Sequence, residues 1–175
     1  MNYKSVFIIF SIIFIPILSL CFAQSNDYQY RRAFKLDLEI NDTNYFQAEI
    51  PESAIVTSSN SIQIYPGEEV FIEVELDSLN EIRNLKSVKN NLEPEKTLIV
   101  AFEQISKKHQ HISMILSITN PFDMDLAYKP SLLSFKLSDW LIKKEITAEK
   151  GQLSVEVFND LSVSICLLDM KFISE

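Results

Sequence analysis

Glycine is almost missing: the 175-residue chain carries two. Two glycines can scarcely build a phosphate-cradling loop, and they argue against a glycine-rich β-helix or propeller. Histidine is equally scarce, with only His109 and His111. Neither an HExxH helix nor a glycine-flanked serine elbow occurs, so the common metal-hydrolase and nucleophile-elbow signatures are absent. Cysteine is limited to Cys21 and Cys166, which excludes a disulfide-stapled scaffold. Positive charge is in deficit, with 16 Lys+Arg against 24 Asp+Glu and a net charge of −8. A field of that sign disfavours nucleic acid and anionic membrane as partners, and suits a basic partner or bound cations.

The long apolar run that does exist lies at the start. Lys4 precedes Val6–Phe10 and Ile12–Leu20, and Ala23 stands before the polar run Gln24-Ser25-Asn26-Asp27. This reads as a signal peptide over residues 1–23, cleaved after Ala23. An uncleaved N-terminal anchor and lipidation at Cys21 are the alternatives; Pro16 and the abrupt polar boundary favour cleavage. The expected product is exported, periplasmic or secreted, with no stable membrane span. Cleavage removes one cation and no acid, so the formal charge becomes −9 on about 152 residues. That length suits one domain with a real core. Residues 24–35 read as a polar spacer or loosely attached first strand, and 36–175 as a single β-sandwich domain.

Alternation with a period of two dominates the rest. His111–Lys129 is the centre of the pattern. Ile112, Met114, Leu116 and Ile118 share one face of a strand, Asn120-Pro121 ends it, and Phe122, Met124 and Leu126 start a second alternation. The spacing leaves open whether the second strand pairs with the first or crosses to another sheet. Ser61–Leu76 reads as a hairpin about Tyr65-Pro66-Gly67-Glu68, with Val70, Ile72, Val74 and Leu76 inward and Phe71, Glu73, Glu75 and Asp77 outward. Leu79, Ile82, Leu85 and Val88 recur every third residue, which predicts a short helix or helical turn near 79–90. Thr97–Ile105, Leu153–Val157 and Leu161–Phe172 add further strands, and lysines near Lys143-Lys144 mark an edge. Eight to ten short strands with turns every 8–12 residues predict an all-β antiparallel sandwich.

Tyr65-Pro66-Gly67-Glu68 with its flanking strands, and Ile118-Thr119-Asn120-Pro121-Phe122 followed by Leu126-Ala127-Tyr128, resemble the small immunoglobulin-like domains of exported bacterial proteins. The resemblance covers about 60 residues and implies an immunoglobulin-like antiparallel β-sandwich. The antibody-type cysteine–tryptophan–cysteine arrangement is missing, since Cys166 and Trp140 stand without a second cysteine after cleavage. This architecture hosts many activities, so the resemblance implies none.

Candidate chemistry is sparse. Asn120, Asp123 and Asp125 put oxygen ligands in one loop, a calcium site if another loop adds a carboxylate, and otherwise an Asx-stabilised turn. No other cofactor is indicated. His109 and His111 would share a strand face, but Lys107 and Lys108 flank them and no third ligand is near. Cys166 sits in an apolar strand and reads as a buried, inert thiol. Glu73, Glu75 and Asp77 form an acidic ribbon fit for a basic ligand. Phe122, Tyr128 and Trp140 are aromatic candidates at loop ends, where they would anchor a partner or cap the core. The resulting expectation is a monomeric, non-enzymatic interaction or accessory module for protein or glycan. A small inhibitor or a structural subunit assembling through an open β-edge is the alternative, and a metal-dependent or enzymatic role stands third. Asn41-Asp42-Thr43 also matches a glycan acceptor, relevant only in a eukaryotic secretory route.

Overall fold

The computed structural model describes residues 26–173; the proposed signal segment and Cys21 lie outside the described residues. Fifteen strands occur among them, several only two to four residues long. In chain order they are β1 (Tyr30–Arg31), β2 (Phe34–Asn41), β3 (Asn44–Ile50), β4 (Ser53–Ala54), β5 (Val56–Ser58), β6 (Ser61–Ile64), β7 (Glu68–Leu76) and β8 (Ile82–Val88). A 3-10 turn at Pro94–Lys96 leads into β9 (Thr97–Lys107), β10 (Gln110–Asn120), β11 (Asp125–Ser134), β12 (Asp139–Ile142), β13 (Ile146–Ala148), β14 (Gln152–Phe158) and β15 (Ser162–Ile173).

Two open antiparallel sheets carry the fold. One has the order β14-β10-β9-β7-β8; the other runs β12-β11-β15-β6-β5, with β13 also paired to β11. Neither closes on itself. Their inner faces share one core, because alternation turns Val70, Ile72 and Val74 from β7, Leu98, Val100 and Phe102 from β9, and Met114, Leu116 and Ile118 from β10 toward Ile62 and Ile64, Leu126 and Leu132, and Ile165 and Leu167 of the other sheet. This is a sandwich-like arrangement. At about 25 cal/mol per Å2, burying each of these aliphatic side chains contributes roughly 1.5–3 kcal/mol before conformational entropy is charged. The β2–β3 hairpin forms a second, smaller core from Leu36, Leu38 and Ile50 with Phe46, Tyr65, Leu161 and Val163.

Three sequence expectations change, and one open alternative is decided. Ser61–Leu76 is not a hairpin: β6 pairs with β5 and β15 while β7 pairs with β8 and β9, so the turn carries the chain between sheets. The turn itself forms as expected, with Glu68 N donating to Tyr65 O at 3.1 Å and Gly67 at φ +88, a conformation that favours glycine. The His111–Lys129 stretch does the same, since β10 and β11 belong to different sheets. Residues 79–90 contain β8 rather than a helix. Leu79 is exposed, Leu85 faces the core, and Val88 is buried on the opposite face, its backbone bridged by Asp27 along the strand edge. A three-residue spacing arose because the two faces of one strand are covered by different neighbours. Finally, the pairing register of β10 shifts between His111 and Ser113, which leaves Ile112 exposed while Met114, Leu116 and Ile118 face inward as expected.

The stretch read as a spacer or loose first strand holds β1, paired to β4 through Tyr30–Ala54 and Arg31–Ser53. Among the described residues no helix is long and apolar enough to cross a membrane.

Candidate functional site

A candidate surface is the outward face of the five-stranded sheet, on which Val88, Thr97 and Ala101 are themselves covered. Residues directly opposite each other across paired strands share a face, so the registers define its rows. One row runs Leu153, Thr119, Ile99, Phe71 and Val88 across β14, β10, β9, β7 and β8. The next runs Val155, Ser117, Ala101 and Glu69, and a third Val157, Ile115 and Glu103. On the other side lie Thr97, Glu73 and Lys86, then Glu75 opposite Asn84. The centre is aliphatic and the rim acidic.

The β14 end of this face is its most exposed part. Leu153, Val155 and Val157 are 59%, 51% and 59% exposed. Their alternation was legible as one strand face, but that face points to solvent. The opposite side of β14 presents Gln152, Ser154, Glu156 and Phe158, which stand against Asn120, Ile118, Leu116 and Met114. The polarity of β14 is thus inverted relative to its neighbours. Only Phe158 joins the margin of the main core.

Glu73 and Glu75, singled out as an acidic ribbon, do lie together on this face. Lys86 beside them is held by Asp27, with Nζ and Oδ1 2.5 Å apart. Its ammonium is pushed above the ordinary lysine value, chiefly by the Asp27 hydrogen bond and further by Glu73 and Glu75. Asp77 serves the turn at the end of β7 instead: its Oδ1 accepts from Leu79 N and Glu81 N at 2.8 and 3.0 Å. Glu68 turns inward to Arg31.

The aromatic candidates do not converge. Phe122 packs on Phe172, with ring centroids 4.5 Å apart, at the margin of the main core. Tyr128 is 1% exposed and belongs to the core, so it is withdrawn from the interaction set; burial raises its phenol well above the ordinary value. Trp140 is 40% exposed on β12, opposite Leu133 in the other sheet, far in topology from the acidic rim.

The calcium trio resolves into turn chemistry. Asn120 is fully buried; its Nδ2 donates to Met124 O at 2.9 Å and Ala148 O at 3.3 Å, and its Oδ1 accepts from Phe122 N at 3.1 Å. Asp125 Oδ1 accepts from Lys150 N at 2.9 Å, while Asp123 is exposed. Asn120 Oδ1 is thus engaged in the Asx turn that the sequence offered as the other reading of this loop. Among the described residues no group of three His, Cys, Asp or Glu side chains comes together as a metal site.

The histidines are separated as well. Lys108 and His109 occupy the two-residue turn between β9 and β10 with φ of 49 and 62, the left-handed pair that a type I′ turn requires. His109 Nδ1 meets Glu39 Oε1 at 2.8 Å, whereas His111 meets Gln104 Nε2 at 3.2 Å and Asn159 O at 3.0 Å. Gln104 also donates to Glu39 O and accepts from Glu39 N, at 2.6 and 2.9 Å, so its amide extends the ladder to β2. This set latches the β2–β3 hairpin onto the main sheet. Hydrogen bonds from Ser106 and His109 hold the Glu39 carboxyl below its ordinary value.

Sequence reasoning missed Arg31, which is 1% exposed among polar neighbours. It ion-pairs with Glu68, donates to Ser53 Oγ, Ala54 O and Gln63 O, and lies 4.8 Å from the centroid of the Tyr65 ring. Nothing in the polar stretch around Arg31-Arg32 distinguishes a buried guanidinium from a solvated one. Cys166 lies partly buried on the six-stranded sheet, opposite Ser131 and Gln63, and burial pushes its thiol up to about 11.

No protein-family model, no curated protein and no solved structure matches the chain.

Proposed function

We propose that the chain is an exported, non-enzymatic interaction module with an immunoglobulin-like sandwich, binding a protein through the outward face of its five-stranded sheet. The single observation carrying this reading is the contiguous row Leu153–Thr119–Ile99–Phe71 bordered by Glu69, Glu73, Glu75 and Glu103. An apolar centre with a polar rim is the anatomy of a protein interface. The rim's sign selects a partner surface with basic groups around an apolar patch. A glycan fits this face less well, because its centre is aliphatic with one aromatic ring, Phe71, whereas sugar faces stack on several.

The apolar leader and the net charge of −8 support export and solubility.

The test is a crosslinking pull-down from the cell envelope and secreted fractions, with wild-type chain, Glu73→Lys/Glu75→Lys and Phe71→Ala as baits. One dominant protein, lost from both variants and released as salt rises, is the expected result. A partner retained equally by both variants places binding elsewhere and ends this reading.

A further inference from the structure

We infer that β14 pairs edge to edge with the β14 of a second copy, antiparallel and centred on Val155, joining two five-stranded sheets into one.

The two large sheets have four edges, β14, β8, β12 and β5. β8 is flanked by residues 26–28 through the Asp27–Val88 bridge and the bonds Tyr28 N to Ser87 O and Lys89 N to Asn26 O. β5 has three residues, and β12 has four, ending at Lys143-Lys144. These are ordinary means of blunting an edge. Among these four edges β14 is the exception: seven residues, paired only to β10, without proline or lysine, and with three exposed aliphatic side chains. Its outer backbone groups form a template for another strand, and the question is which strand fits.

Its own sequence, Gln152-Leu-Ser-Val-Glu-Val-Phe158, fits when run antiparallel against itself about Val155. All seven residues then find an opposite. Leu153 meets Val157 at both ends, Val155 meets Val155, and the only charge, Glu156, meets Ser154. Apolar residues stay on the outward face in both copies. A one-residue slip turns aliphatic side chains of one copy to the face where the other is polar. A slip that centres the pair on Glu156 sets carboxylate against carboxylate, which cross-strand pairing disfavours. One register satisfies face, length and charge together. Glu156 thereby acts as a selector for self-pairing in this register, although alone it would blunt the edge.

A single strand pair buries little surface, so the dimer is weak and concentration-dependent. Each copy carries a net charge of −8, so added salt strengthens association by screening. This is opposite to the salt response expected for an acidic face meeting a basic partner, and the two proposals succeed or fail separately.

The decisive experiment is cysteine crosslinking of protein produced from the full-length chain, with the parental chain as the control for Cys166. Opposed Cα atoms in an antiparallel pair lie about 4.5–5.5 Å apart, within disulfide reach. Val155→Cys should therefore yield a disulfide dimer under mild oxidation. Leu153→Cys should not, since the two copies of residue 153 stand roughly 13 Å apart along the strands. A mixture of Leu153→Cys and Val157→Cys should crosslink as a heterodimer. Sedimentation velocity supplies the second measurement: self-association of the parental chain that Val155→Lys weakens about tenfold or more. A parental chain that stays monomeric at every concentration overturns the proposal. So does equal crosslinking by all three single variants, or association that Val155→Lys leaves intact.

Discussion

Arg31 Nε stands 2.9 Å from Glu68 Oε1, and the two side chains are 1% and 17% exposed. Through this pair β1 is fastened to the turn that carries the chain between sheets. Glu68 Oε2 accepts from Tyr65 N at 2.8 Å, while the guanidinium reaches Ser53, Ala54 and Gln63. One cation thus gathers β1, β4, β6 and the start of β7.

Removing Glu68 leaves a buried guanidinium without its counter-charge, and removing Arg31 leaves a half-buried carboxylate without its own. Arg31→Ala and Glu68→Ala should each destabilise by about 3–5 kcal/mol. Replacing both, as Arg31→Met/Glu68→Leu, should cost clearly less than the sum of the single losses, because no orphaned charge remains. Urea unfolding of the four proteins measures this. Additivity of the single effects to within about 0.5 kcal/mol would show that the pair is not coupled.

Asn120 supplies the second prediction. Its amide joins the end of β10 to Met124 O and Ala148 O, so the side chain holds the β10–β11 crossing to β13. Asn120→Ala should cost about 1–3 kcal/mol for the unpaired groups. Asn120→Asp should cost more, since a carboxylate oxygen would face two carbonyl oxygens. The same geometry predicts that neither calcium nor a chelator shifts Tm. A calcium-dependent rise that disappears in Asp123→Asn or Asp125→Asn would restore the cation site.

These residues also show where the sequence is readable. Alternation identifies Val70, Ile72 and Val74 as core, because a half-buried strand writes its period directly into the chain. It does not say which strand is the neighbour, and so the Ser61–Leu76 turn reads as a hairpin while it bridges sheets. Nor does it say which face is inside: Leu153, Val155 and Val157 alternate as cleanly as Ile62 and Ile64 yet point outward. Glu73 and Glu75 were legible as an acidic face, but the aliphatic rows that complete it come from strands distant in sequence. Arg31 was illegible, since its burial depends wholly on partners more than twenty residues away.

Cys166 gives a pH-dependent prediction. In the fold its thiol ionises only near 11, displaced upward from 9.0 mainly by burial and only partly offset by Arg31. The unfolded chain surrenders that proton first, so stability is intact below the ordinary thiol value and falls as pH rises from there through about 11. Cys166→Ala should flatten this part of the stability curve relative to wild type. At pH 8 the native thiol should react clearly more slowly with an aromatic disulfide than the unfolded chain does, since less of it is thiolate and it is partly buried. Reaction at the unfolded rate in native buffer would contradict the buried setting.

The acid side of the curve belongs to Glu39. Its carboxyl is held low in the fold by Ser106 first and His109 second, and the unfolded chain therefore takes up a proton before the native one as pH falls. The stabilisation is present above the ordinary carboxylate range and is lost as pH drops through the lower, folded value. Glu39→Gln removes it at every pH. The gap between wild type and Glu39→Gln should be present above the ordinary carboxylate range and narrow as pH falls through that range toward the lower folded value. Gln104→Ala breaks the same latch differently, by deleting both amide bonds to the Glu39 backbone and the contact with the His111 ring, and should lower stability. In each variant hydrogen exchange should quicken first in β2 and β3, whose small core is separate from the main one. Uniform acceleration across both sheets would mean that the hairpin unfolds only with the whole domain, and a pH-independent gap for Glu39→Gln would remove the carboxylate from the latch.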